Sequence, residues 1–173
     1  VDALDGTPLE LLTKQAHFLQ SMEAFDNTFF KISAAETAVM DPHQRLLLET
    51  GFGALTLSGQ TRAALMGSGV GVFVGTMTEG DWSGVLAEST TNLRSPFAGN
   101  AGGAAALAGR VSFVLGLKGP AVSTSTVCSS SLVALDAACQ ALTLARCSAA
   151  IVGSTNLVLR PGVFFMYGDA LAP

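Results

Sequence analysis

Three short apolar runs punctuate the chain, separated by stretches of helical length. Residues 70–77 alternate Val, Phe and Gly and predict a buried strand. Residues 121–126 follow a Gly119-Pro120 turn and predict a second strand, and residues 147–157, CSAAIVGSTNL, predict a third. Elsewhere the apolar spacing changes to three and four, the period of a helix. Asp41-Pro42 supplies an N-cap and a first-turn proline, and Gln44, Leu47, Leu48 and Leu55 continue the helix they open. Gly51 and Gly53 weaken that helix, each by up to ~1 kcal/mol. Residues 99–116 predict a closely packed helix in which Ala105, Leu107 and Ala108 approach other backbones, with Phe113 and Leu115 continuing into the core. Leu132, Leu135, Cys139 and Leu142 mark the apolar face of a further helix. Strand–helix–strand repetition of this kind predicts an α/β domain with a mainly parallel sheet covered by helices.

The intervening segments are less regular. Phe25, Phe29, Phe30 and Ile32 form an apolar cluster that anchors a loop onto the core. Residues 1–20 read as a short helix or an irregular arm. Residues 78–95 are a polar excursion in which Trp82 is assigned to packing, and residues 162–171, after Pro161, read as a short helix.

Composition agrees with a buried α/β interior. Hydrophobic residues make up 49% of the 173 positions and charged residues 13%. The net charge of -4 provides no basic footprint for nucleic acid. No apolar run is long enough to span a bilayer, and no secretory signal pattern opens the chain. Three cysteines, an odd number without a paired framework, favour a reducing compartment. The expected location is cytoplasmic, with an organelle stroma as the alternative. The chain opens on Val1 and stops at Leu171-Ala172-Pro173, which reads as a partial segment of something longer, incomplete at both ends.

Candidate chemistry centres on Cys128. It stands where the second strand meets the following helix, ahead of Ser129, Ser130 and Ser131. Unpaired N–H groups and the macrodipole place about half a positive charge at a helix N-terminus, a field that favours a thiolate. Small neighbours leave a substrate room to reach the sulfur. Cys139, on the apolar helix face, and Cys147, opening the third strand, are assigned to the core as small hydrophobes. His17 is assigned to surface or packing. His43 falls in a first helical turn, and its position alone allows either a base for Cys128 or a polar residue held by local hydrogen bonds. Arg110 is expected to pair with a carboxylate or carbonyls. GNAGGAAALAGR, residues 99–110, lacks the spacing of a dinucleotide fingerprint and the ending of a P-loop.

Four segments, in order, carry a resemblance. GPAVSTSTVCSSSLVALDAACQAL resembles the active-site segment of β-ketoacyl synthases, above all the ketosynthase domains of type I polyketide and fatty acid synthases. FDNTFFKISAAETAVMDPHQRLLLETGFGAL resembles the same family's N-terminal signature, and GVGVFVGTM and AGRVSFVLGLKGP resemble two further segments. The resemblance implies the N-terminal half of a thiolase-like α-β-α layered fold, so that residues 1–173 are a partial ketosynthase domain. It implies Cys128 as the nucleophile, with its own backbone N–H as an oxyanion donor. The implied reaction passes an acyl group from a carrier protein's phosphopantetheine arm to Cys128, for decarboxylative Claisen condensation with a malonyl-type extender. No directly bound cofactor or metal is implied. The implied partners are an acyl carrier protein, neighbouring synthase domains and a second subunit joined through residues 120–126; nucleic acid and membrane are not among them.

The family stabilises the condensing enolate with two histidines in its C-terminal half. This chain has only His17 and His43, neither in a matching motif, so the segment alone is expected not to condense. Ser125-Thr126-Val127-Cys128 departs from the usual Asp-Thr-Ala-Cys, which bears on acyl preference or marks a divergent copy. Asp136 stands where His is common in the helix, and the Gly and Pro usual near Lys31 and Ala34 are absent. The alternative reading is a non-elongating or degenerate ketosynthase serving as a structural or carrier-docking module. A thiolase acting on coenzyme A thioesters fits CSSSLVAL less well. A Cys-His hydrolase fits least, since no histidine follows Cys128.

Overall fold

The structure is a computed structural model and describes residues 18–77, 81–88 and 95–160. His17, most of the N-terminal arm and the helix expected at residues 162–171 lie outside the described residues. In chain order the elements are α1 (Asn27–Phe30), α2 (Ala34–Val39), α3 (Pro42–Leu57), α4 (Arg62–Leu65), β1 (Val70–Thr76), α5 (Asp81–Ala87), a 3-10 turn (Ala98–Asn100), α6 (Ala104–Leu115), β2 (Ala121–Thr124), a second 3-10 turn (Val127–Ser129), α7 (Ser130–Thr143) and β3 (Ala149–Thr155). The described strands form one parallel sheet in the order β2-β1-β3, with Val72 opposite both Ala121 and Ile151. β1 is central and buried along its whole length, as expected of a parallel strand covered on both faces.

The alternation along β1 builds the layers. Val70, Val72 and Val74 face one way, into a core with Leu47 and Leu48 of α3 and Leu107, Val111 and Leu115 of α6. Phe73 faces the other way, onto Ala134, Ala138 and Ala141 of α7 and Cys147. Helices therefore cover both sides of the sheet, the α-β-α arrangement.

α3 begins as its sequence dictates. Asp41 Oδ1 accepts the His43 N–H at 2.8 Å, and Pro42 fills the first helical position. The helix runs through Gly51 and Gly53 without a break. A Cβ at Gly53 would meet nothing within 4 Å. Gly53→Ala should therefore raise unfolding stability by about 1 kcal/mol through helix propensity alone, read as a higher urea midpoint. Arg45, in the same helix, donates to the Met40 carbonyl at 3.2 and 2.9 Å. Burial pulls this guanidinium below its ordinary value, against the opposing charges of Asp41, Glu49 and Glu23.

Around this frame the aromatic cluster forms as expected. Phe25 stacks on Phe30 at 5.1 Å, and Phe29 meets Phe52 edge-on. Trp82 packs with Val39, Leu86 and Ala101 and donates its indole N–H to the Val39 carbonyl at 2.7 Å. Arg110 finds its carboxylate in Glu36 and also donates to Gln44 Oε1 at 3.0 Å.

Three assignments are corrected. In α7 the sheet-facing residues are Ala134, Ala138 and Ala141; Leu132, Leu135 and Leu142 face outward, Leu132 at 69% exposure. Cys139 is exposed with them, while Cys147 is buried. The cause lies in β1, which offers Gly75 to the head of α7. A Cβ at Gly75 would fall 2.6 Å from the Ser130 carbonyl carbon. Only small residues fit a helix lying this close to a strand, so the leucines turn away. Phe113 does not enter the core: it is 82% exposed. It lies two residues, about 200° of helix rotation, from both Val111 and Leu115, which α6 buries.

Candidate active site

β2 ends at Thr124, and the chain must turn sharply to enter α7. Val127 makes the turn with φ +57°, a left-handed conformation that is costly for a β-branched side chain. Hydrogen bonds around it hold the turn. The Ser130 hydroxyl accepts the Thr126 N–H at 2.8 Å and lies within donor reach of the Val127 carbonyl at 2.7 Å and the Thr76 carbonyl of β1 at 2.9 Å. Ser129 Oγ donates toward the Thr126 carbonyl at 2.7 Å. Ser130 is 4% exposed, so its hydroxyl ties the turn to the central strand from inside.

Cys128 is the residue this turn presents. It lies in the 3-10 turn immediately ahead of α7 and is exposed. It lines a cleft of about 370 Å³ whose walls are residues 75–77 at the end of β1, Val127, Ser130 and Ser131 at the head of α7, and residues 154–156 at the end of β3. Open parallel sheets bind ligands outside the carboxyl ends of their strands, and this cleft has that position. Cys128 lies at the positive end of a fourteen-residue helix. Its backbone N–H belongs to the first turn, where intrahelical acceptors are missing.

The cleft wall contains no histidine among the described residues. His43 is buried elsewhere, its Nδ1 2.7 Å from Asp41 Oδ1, in keeping with its first-turn position. The unexpected partner is distant: Nε2 accepts the Leu157 N–H at 2.9 Å, across 114 positions of sequence. Among the described residues no group of three His, Cys, Asp or Glu could hold a metal ion.

Residues 5–171 match the sequence profile of the β-ketoacyl synthase N-terminal domain. The chain belongs to the β-ketoacyl synthase family. It is 42% identical over 166 residues to the polyketide synthase GfsA of Streptomyces halstedii, an alignment covering 96% of this chain and 2% of that protein. It is 41% identical over 162 residues to the highly reducing polyketide synthase aurA of Calcarisporium arbuscula, covering 91% of this chain and 6% of the other. Among solved structures, the ketosynthase from module 6 of the bacillaene synthase of Bacillus subtilis 168 superposes with a TM-score of 0.75 at 31% identity, covering 88% of this chain and 25% of that one. The oxazolomycin ketosynthase domain from Streptomyces albus JA3453 gives 0.76 at 31% identity, covering 88% and 26%. The chain thus spans a small fraction of the polyketide synthases it matches and about a quarter of the solved ketosynthase chains. Its fold is the partial thiolase-like α/β fold of a ketosynthase.

The sequence pattern puts Cys128 at the strand-to-helix turn, where the structure has it, but does not reveal the turn's supports. In the sequence Ser130 is one of three undifferentiated serines, and Gly75 one glycine of a strand. The available signal is that glycine: inside a strand of Val and Phe it marks close approach by another backbone.

Proposed function

We propose that this chain supplies the acyl-accepting part of a polyketide-type ketosynthase, with Cys128 as nucleophile. The observation that carries the reading is an exposed cysteine at the head of α7, inside a cleft at the carboxyl ends of β1 and β3. The sulfur, as thiolate, attacks the carbonyl carbon of an acyl group carried on a phosphopantetheine thioester. A new C–S bond forms, and the carbonyl oxygen takes the negative charge beside the Cys128 N–H. Collapse of that adduct breaks the old C–S bond and expels the pantetheine thiolate, which takes up a proton. The acyl group then rests on Cys128 as a thioester of similar energy. In the second step a carrier-bound malonyl-type unit loses CO₂, and its enolate carbon attacks the acyl carbon and releases Cys128. Groups that stabilise this enolate must come from outside the described cleft walls.

The partners follow from the same reading. An acyl carrier protein delivers both substrates, and neighbouring synthase domains supply and remove them. β2 is an edge of the described sheet, with Val122 exposed on it, which supports pairing of residues 120–126 with a second subunit. The outward leucines of α7 support the view that residues 1–173 are a partial domain, with more ketosynthase chain against that face. The polyketide synthase relatives favour this over a non-elongating docking module.

The test is intact mass spectrometry of the chain after incubation with an acyl-pantetheine thioester. One acyl group should replace one proton at Cys128, be removed by neutral hydroxylamine, and yield no condensed product when malonyl-pantetheine is added. A chain whose Cys128 alkylates with iodoacetamide yet takes no acyl group would overturn the proposal.

A further inference from the structure

We infer that His43 is a positioning residue for the Cys128 cleft, a latch that fixes the chain leaving β3. The inference rests on the acyl-accepting role proposed for Cys128. Two walls of the cleft are held directly: the Ser130 hydroxyl joins the head of α7 to Thr76 at the end of β1. The third wall, residues 154–156, is the end of β3, an edge strand of the described sheet, and the residue that follows it. Its ladder to β1 finishes at the pair Thr76 and Thr155, so Asn156 lies past the last registered pair. The next backbone anchor is Leu157, whose N–H donates to His43 Nε2 at 2.9 Å.

That anchor is rigid. The His43 side chain is 1% exposed and comes from the first turn of α3, in the helical layer opposite α7. Because Leu157 offers a donor, Nε2 must accept, and the ring proton then belongs on Nδ1, 2.7 Å from Asp41 Oδ1. The same Asp41 oxygen caps α3, and the Asp41 N–H donates to the Ala101 carbonyl at 2.7 Å. The ring therefore spans a fixed distance between the capped start of α3 and the backbone one residue beyond Asn156. Displacement of a site wall by about 1 Å is enough to cost a reaction on the order of 100-fold.

The experiment compares His43→Gln, which keeps an acceptor near the Nε2 position, with His43→Leu and His43→Asn, which lack it or fall short. Acylation of Cys128 by acetyl-pantetheine is measured beside alkylation by iodoacetamide, which needs only the thiol. In folded Leu and Asn variants acylation should fall by about tenfold or more, with alkylation held within about twofold. The Gln variant should keep both rates near parental. Amide hydrogen exchange supplies a readout independent of acylation: residues 155–157 should exchange about tenfold faster or more in the Leu and Asn variants and not in Gln. Parental acylation in a folded Leu variant, parallel loss of both reactions, or unchanged exchange at residues 155–157 would overturn the latch. If the parent chain takes no acyl group, the proposed function fails, and the exchange data alone decide the latch.

Discussion

Cys128→Ala should reduce acyl transfer to the chain to background, a loss on the order of 10⁴-fold or more. The side chain is exposed and packs no core, so the same substitution should move unfolding stability by no more than about 0.5 kcal/mol. That separation between chemistry and stability is the informative part. A thiolate exchanges one thioester for another at little net energy, and a methyl group offers no such route. Cys128→Ser keeps the shape but presents a hydroxyl without a base in the described cleft wall, and should lose nearly as much. Cys139 is the internal control, because it too is exposed and free. It lies mid-helix in α7, away from the helix head and outside the cleft. Cys139→Ser should leave acylation unchanged. Intact mass after acetyl-pantetheine treatment checks all three variants. An adduct that persists in Cys128→Ala and vanishes in Cys139→Ser would place the nucleophile on the wrong face of the helix.

What the sequence made legible was local. The Asp41-Pro42 cap, the apolar run of β1 and the junction that presents Cys128 are each decided within a few residues, and the structure has them where the pattern put them. The orientation of α7 was not legible for a specific reason. Leu132, Leu135, Cys139 and Leu142 have helical spacing, but so do Ser130, Ala134, Ala138 and Ala141. Periodicity finds faces and does not say which one meets the sheet. The decision belongs to Gly75, more than fifty residues earlier, whose missing side chain lets the alanine face come in close. His43 was half legible in the same sense. Asp41 is two residues away and was foreseeable; Leu157 is 114 positions away and depends on how β3 returns beside β1. Nor does a run of three serines reveal that the middle one is buried and bonded to β1 while its neighbours face solvent.

Gly75→Ala should be among the most damaging single methyl groups in the described fold. The added Cβ would lie 2.6 Å from the Ser130 carbonyl carbon, 2.7 Å from its oxygen and 2.8 Å from the Ser131 nitrogen. All three are backbone atoms, so no side chain can swing aside. β1 is central and buried, with α3 and α6 packed behind it, so the strand has little room to retreat. The head of α7 must move instead, and the bond from Ser130 to the Thr76 carbonyl goes with it. Overpacking of about 1–3 kcal/mol, added to about 1–3 kcal/mol for a broken buried hydrogen bond, predicts a loss of about 3 kcal/mol or more. Urea unfolding measures it, with Gly53→Ala as the matched control in which the same methyl group meets nothing. Cys128 sits on the element that moves, so acylation by the folded fraction should also fall, on the order of 100-fold. The two readouts test different links. A destabilised variant that still acylates at the parental rate would mean that α7 shifts as a body with the cleft intact. A variant with the parental urea midpoint would mean that the helix does not rest on β1 as closely as the glycine requires.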